Sequence, residues 1–221
     1  MASFPDKLTA LQREVLEAFF RHERRFFLTG GAALAGFYLG HRVTDDLDLF
    51  THEREAFETG VHALAAAVDE LGARTTVRQE APGFRRYVVT RGEEAVVVDL
   101  VWERVPSAYP DKPERGGVRI DRLEEILINK LTTVVSRAEE RDLVDLFFLE
   151  RAGHRAETAL TAALAKDGGC TPAVLAWVLA QIEIPEGAVL PGGVTATELR
   201  AYVADLVKRL RRSAAPKVQN G

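Results

Sequence analysis

The chain has one cysteine, Cys170, among its 221 residues, and it has no apolar run approaching the about eighteen residues that a membrane helix needs. One thiol excludes a disulfide framework within the chain. The N-terminal stretch is charged and amphipathic, so it does not have the pattern of a signal peptide. We therefore expect a soluble cytoplasmic protein that makes no membrane contact.

A zinc pattern and internal repeats are also missing. The histidines are not spaced with cysteine in any arrangement that holds structural zinc. The 47% hydrophobic content is sufficient for one sizeable core, or for two small domains that share an interface.

Charge is distributed unevenly along the chain. Residues 195–221 contain six Lys/Arg and two acids, which gives +4, whereas the whole chain carries −4 and the remainder therefore −8. A basic C-terminal helix can hold a nucleic-acid backbone. A solvated helix face with favourable charge near its C-terminus explains the same residues, and the sequence leaves both interpretations open.

The most informative stretch is residues 27–51, FLTGGAALAGFYLGHRVTDDLDLFT. A short apolar strand turns at Gly30-Gly31, a helical stretch follows, and an alternation typical of a strand begins at Asp46. Residues two apart on a strand share a face, so Asp46 and Asp48 project side by side. Paired carboxylates suit Mg²⁺ or Mn²⁺; an edge strand with a solvated acidic face is the alternative.

A third acid lies in an apolar run. Asp99 interrupts the segment VVVDLV, and a lone carboxylate there is costly to bury unless it is paired or bound to metal. We predict that Asp99 meets Asp46 and Asp48 across the sheet, where the three would hold the metal. A hydrogen bond at a strand end is the alternative.

The remaining pattern predicts an α/β (α+β) fold. Residues 1–117 should form a small mixed sheet flanked by helices, residues 118–212 an all-helical part, and residues 213–221 a disordered tail. Strands are predicted at 75–79, 86–90 and 95–102, with residues 91–93 forming the turn between the last two.

A charged block, residues 130–149, lies in the helical part and reads KLTTVVSRAEERDLVDLFFL. Taken alone, this block is typical of an ordinary charged helical hairpin. Lys130 and Asp145 become candidate site residues only together with the upstream motif.

Gly30-Gly31, a short helix and Asp46-x-Asp48 together resemble the signature of the DNA polymerase β-type nucleotidyltransferase superfamily. Within it, LTGGAALAGFYLGHRVTDDLDLF is similar to the AbiEii/AbiGii-type nucleotidyltransferase toxins. The block at 130–149 resembles the second conserved block of that family, whose lysine and closing aspartate fall on Lys130 and Asp145. The resemblance covers about residues 25 to 150.

The resemblance implies an enzyme that transfers a nucleotide from an NTP to an RNA acceptor, the 3′ end of tRNA, with a cognate antitoxin as regulator. Asp46, Asp48 and Asp99 would bind Mg²⁺ or Mn²⁺. Lys130 would neutralise phosphate charge, and Asp145 would hold Lys130 or contact the nucleotide. The triphosphate would face a further set of residues: Gly30, Gly31, Arg42 and Thr44.

Two other functions remain open at this point. A nucleotidyltransferase of the same class could modify a small molecule, although the basic C-terminal segment favours RNA. A non-catalytic relative could bind a nucleotide or a partner protein, but the full set of acids and Lys130 argues against that.

Overall fold

The computed structural model describes residues 6–137 and 139–215. The chain divides between Arg122 and Leu123 into two compact units, whereas the sequence pattern predicted a boundary after residue 117. The first unit holds the sheet, and the second consists of helices.

The described part of the first unit contains a five-stranded sheet in the order β1-β2-β5-β4-β3. β2 and β5 run parallel, and the other neighbours are antiparallel, so the predicted mixed sheet is confirmed. The strands are β1 (Phe27–Thr29), β2 (Asp46–Thr51), β3 (Arg74–Ala81), β4 (Phe84–Arg91) and β5 (Glu94–Trp102).

Two helices cover one face of this sheet: α1 (Ala10–His22) and α3 (Arg54–Glu70) contact each other and the central strands. Their face carries the leucines and valines that alternate with the acids, and Leu47, Leu49 and Leu100 are fully buried there. Because side chains alternate across a strand, burial of these residues directs the intervening acids to the opposite face.

The segment between β1 and β2 begins as α2 (Gly30–Ala33) and continues as a π-helical turn (Leu34–Tyr38), where the sequence predicted one helix. A small ribbon of β6 (Glu114–Arg115) and β7 (Val118–Arg119) lies on either side of the predicted boundary at residue 117, where the sequence predicted no strand. Strands of two residues are too short to show a period in the sequence.

The second unit consists of helices that pack around their own apolar core, as the sequence predicted. Its last helix begins at a capping box formed by Thr195 and Glu198 and continues to Ala214, whereas the helical part was predicted to end at residue 212. Residues 216–221 of the predicted tail lie outside the described residues. The helices are α4 (Leu123–Ser136), α5 (Glu140–Arg151), α6 (Ala156–Lys166), α7 (Pro172–Ala180) and α8 (Ala196–Ala214).

Across residues 6–137 and 139–215, no helix combines the length and the apolar character that a membrane span requires.

Candidate active site

The two acids of β2 lie beside the third acid on β5. Asp48 is the register partner of Asp99 across the parallel pair, and Asp46 is the partner of Val97. Register partners point to the same face of a sheet, so the three carboxylates project from one face. Asp46 and Asp48 are half-buried, and Asp99 is 3% exposed.

The same strand register aligns polar residues of the neighbouring strands with Asp48 and Asp99. On β1, Thr29 is opposite Asp48, and on β4, Arg86 is opposite Asp99. Beyond Arg86, at the edge of the sheet, Gln79 of β3 is the next partner. A row of polar side chains therefore crosses five strands on the face opposite the one that α1 and α3 cover.

Arg86 binds Asp99 with two parallel hydrogen bonds. Its Nε donates to Oδ1 at 2.8 Å, and its Nη2 donates to Oδ2 at 2.6 Å. The pKa of Arg86 lies above its ordinary value, first because of the hydrogen bonds to Asp99 and further because of the charges of Asp99, Asp46 and Asp48, although partial burial opposes this. Arg86 was not among the predicted site residues.

A metal site with three carboxylates is not preformed. No group of three or more His, Cys, Asp or Glu side chains within the described ranges is arranged to hold an ion. Both oxygens of Asp99 accept from Arg86 instead. The role of Asp99 as a metal ligand stays a prediction.

The pair Asp46 and Asp48 does fit a hard cation. Gly30 has φ +64°, and a Cβ there would lie 2.3 Å from Oδ2 of Asp48, so the glycine keeps the space beside this carboxylate open. Mg²⁺ is commonly held by one or two carboxylates together with substrate phosphates. The donor set of Asp46 and Asp48 therefore suits a divalent ion whose remaining ligands include substrate phosphates.

Arg42 and Thr44 shape the approach to Asp46. Thr44 Oγ1 donates to Oδ1 of Asp46 at 2.9 Å, and Gln12 of α1 holds the Thr44 carbonyl at 2.7 Å. The Arg42 guanidinium lies against Gly31, where a Cβ would come within 2.6 Å of Nη2. Both side chains thus lie next to the Gly-Gly turn, and Thr44 also contacts the first acid.

Thr29 is a second residue that was not predicted. Its hydroxyl is buried and has no hydrogen-bond partner in the part of the chain that the structure describes. A buried hydroxyl without a partner is costly. Its place beside Asp48 and ahead of Gly30 makes it a candidate contact for a bound ligand.

In the second unit, Lys130 lies between two carboxylates of α5. Its Nζ is 2.8 Å from Oδ1 of Asp142 and 2.6 Å from Oδ2 of Asp145, and both acids are almost fully buried. Burial lowers the pKa of Lys130, but Asp145 and Asp142 outweigh it, so the pKa lies above its ordinary value. Asp145 therefore holds Lys130, and Asp142 joins it as a partner that was not predicted.

The basic C-terminal segment is less free than its composition indicated. Arg209 of α8 forms ion pairs with Glu150, Glu157 and Asp205, and its side chain is 12% exposed. Its pKa is raised because these carboxylates outweigh the effect of burial. Arg209 is an internal counter-ion, and the exposed cations of this helix include Lys208, Arg211 and Arg212.

The mixed sheet, the Gly-Gly turn and the acids on adjacent parallel strands define a nucleotidyltransferase fold. Solved structures agree: a candidate nucleotidyltransferase from H. pylori superposes with a TM-score of 0.58 at 19% identity, covering 93% of this chain and 96% of that one. JHP933 from Helicobacter pylori superposes with a TM-score of 0.56 at 20% identity, covering 92% of each chain.

Residues 14–216 match the family described as nucleotidyl transferase AbiEii toxin, type IV toxin–antitoxin system. The chain belongs to this family and is a nucleotidyltransferase. It is also 28% identical over 148 residues to an uncharacterized protein of Aquifex aeolicus (strain VF5), covering 66% of this chain and 68% of that protein.

Proposed function

We propose that the chain binds an NTP with Mg²⁺ or Mn²⁺ at Asp46 and Asp48 and transfers the nucleotide to an RNA acceptor, the 3′ end of tRNA, under control of a cognate antitoxin. The observation that carries the proposal is the line Thr29, Asp48, Asp99 and Arg86, which the register aligns beside Gly30. The family, which is one of type IV toxin–antitoxin systems, supports the toxin role and the partner.

Nucleotidyl transfer requires the protein to position the reactants and to stabilise charge, and it does not require covalent catalysis. A bound divalent ion supplies neutralisation of phosphate charge and lowers the pKa of the acceptor hydroxyl. Gly30 and Gly31 allow a phosphate to approach the backbone, whose N–H groups favour anions. The Thr29 hydroxyl gains a partner if it donates to a phosphate oxygen.

We propose that Asp99 acts on the acceptor. Both of its oxygens are engaged by the Arg86 guanidinium, whereas Oδ1 of Asp46 accepts from the neutral Thr44 hydroxyl. We assign Asp99 to orienting the acceptor hydroxyl and accepting its proton, and to joining the metal shell in the predicted manner.

Lys130 and Asp145 keep the roles that the family resemblance implies, phosphate neutralisation and support of the lysine. The support within the second unit is that Lys130 is held charged by two buried acids. Exposed Lys208, Arg211 and Arg212 on α8 favour a polyanionic acceptor over a small molecule.

The test incubates the protein with each labelled NTP, Mg²⁺ and total RNA, and follows label in discrete RNA bands. Asp46→Asn and Asp48→Asn should each abolish transfer, because each removes a ligand charge. Their thermal stability should hold or rise, since the acids on this face repel one another. Asp45→Asn is the matched control, because Asp45 is an exposed acid one residue before β2.

Near wild-type turnover in both variants would refute the assignment of Asp46 and Asp48. Transfer of label to a small molecule, with no labelled RNA under any NTP, would replace the acceptor in the proposal and leave the enzyme class unchanged.

A further inference from the structure

We infer that Arg86 is a fixed cation of the active site, which positions Asp99 and limits the site to one divalent ion. This inference rests on the proposed metal-dependent function and deepens it. It concerns a residue that lies on β4, outside both sequence motifs.

Arg86 fixes the orientation of Asp99. A bidentate guanidinium–carboxylate pair fixes the carboxylate plane and engages both oxygens, at 2.8 and 2.6 Å here. Asp99 is 4% exposed in its side chain, so it depends on this partner, whereas Arg86 is 41% exposed and reaches it from the open side. A carboxylate held in this way has one orientation to offer an acceptor hydroxyl.

Arg86 also lowers the negative charge of the site. Asp46, Asp48 and Asp99 would together carry −3, and Arg86 reduces this to −2, the charge that one divalent ion neutralises. The Arg86 guanidinium belongs to this charge cluster because it contacts Asp99 directly, and Asp99 is the register partner of Asp48. Arg42 lies beside Gly31, where its Nη1 donates to the Val43 carbonyl at 3.0 Å; it is assigned to the triphosphate and is not counted with the three acids.

Arg85 and Arg86 are neighbours on β4 but point to opposite faces of the sheet. Arg85 is the register partner of Leu100, so it lies on the other face of the sheet from Arg86. Its guanidinium pairs with Glu58 at 2.9 Å and lies over the Phe57 ring. Only one of two adjacent, equally charged residues meets the acids, which provides a control with the same change of charge on the same strand.

The experiment measures Mn²⁺ binding to the full chain by the electron paramagnetic resonance signal of free Mn²⁺, with and without a non-hydrolysable NTP analogue. Wild type and Arg85→Gln should bind one Mn²⁺ per chain. Arg86→Gln should bind a second ion and hold the first about tenfold more tightly, the effect of removing a unit charge about 6 Å from a divalent ion in a water-like dielectric.

Arg86→Lys separates charge from positioning. It keeps the cation but not the two-pronged geometry, so it should bind one Mn²⁺ per chain with wild-type affinity while kcat for transfer falls at unchanged KM for the NTP. Circular dichroism and thermal melts confirm that each variant is folded. If Arg86→Gln does not fold, the number of Mn²⁺ ions bound by Arg86→Lys provides the test.

Two ions per chain in wild type, or identical binding by Arg86→Gln and Arg85→Gln, would overturn the inference while leaving the proposed function intact. Two ions in Arg86→Lys would also overturn it. Wild type that binds no Mn²⁺ and transfers no nucleotide would overturn the proposed function together with this inference.

Discussion

Replacing Lys130 with Met is the most demanding test of the second unit. The substitution keeps the length of the side chain but removes the charge that neutralises Asp145 and, with Arg137, Asp142. Asp145 is 0% and Asp142 1% exposed in its side chain, so water cannot take the place of the ammonium. Removing one partner of a buried ion pair costs about 3 to 5 kcal/mol.

For a chain of this length, that loss lowers the melting temperature by roughly 6 to 20 °C. Urea unfolding followed by circular dichroism gives the free energy directly. Lys208→Met on α8 is the matched control, because Lys208 is exposed, and its effect should stay within about 0.5 kcal/mol. Lys130→Met/Asp145→Asn should recover part of the loss, since one of the two carboxylate charges that Lys130 balanced is gone.

The pH dependence has a defined sign. The pKa of Lys130 is raised in the folded chain, so its contribution is fully present below the unfolded value of about 10.5 and is lost as pH rises through the folded value. The difference in the free energy of unfolding between wild type and Lys130→Met should therefore be constant from neutral pH to about pH 10.5. Above about pH 10.5 it should shrink. A Lys130→Met variant within about 1 kcal/mol of wild type would refute the reasoning from burial.

Two further substitutions probe the ligand sites. Gly30→Ala should abolish Mn²⁺ binding and transfer, because its Cβ would meet Asp48 at 2.3 Å. Gly72→Ala is the control: Gly72 has a similar positive φ, but its Cβ would have no atom within 4 Å, so this variant should lose only about 1 to 2 kcal/mol of stability. On α8, Lys208→Gln/Arg211→Gln/Arg212→Gln should weaken RNA binding and flatten its salt dependence in a filter-binding titration. An unchanged salt slope in this triple variant would contradict RNA binding by α8. Arg209→Gln should instead lower the melting temperature, because Arg209 is an internal counter-ion.

The strand alternation made much of the sheet predictable. Leu47 and Leu49 must be buried together because both are large and apolar, and their burial directs Asp46 and Asp48 to one common face. The helices of the second unit were predictable from their apolar spacing. The π-helical turn at Leu34–Tyr38 was not predictable, because a change from α-helical to π-helical hydrogen bonding does not alter the residue composition.

The length of the turn between β4 and β5 decides which arginine lies opposite Asp99, and a difference of one residue changes the answer. A three-residue turn at 91–93 would pair residue 90 with Glu94 and place Arg85 opposite Asp99. The turn has two residues, Gly92 and Glu93, so Arg91 pairs with Glu94 and Arg86 comes opposite Asp99. Since a shift of one residue reverses the faces of a strand, the sequence pattern alone could not choose between the arginines.

The parallel pairing of β2 with β5 also bears on how the chain folds. Asp48 and Asp99 are about fifty residues apart in sequence, and α3 and the β3–β4 hairpin form within the loop that joins their strands. Closing a loop of this length must precede the pairing, whereas the hairpin can form locally. During synthesis, a ribosome-bound chain can therefore fold α1, α3 and the β3–β4 hairpin before Asp48 and Asp99 come together. Catalytic competence arises only after β5 has left the exit tunnel.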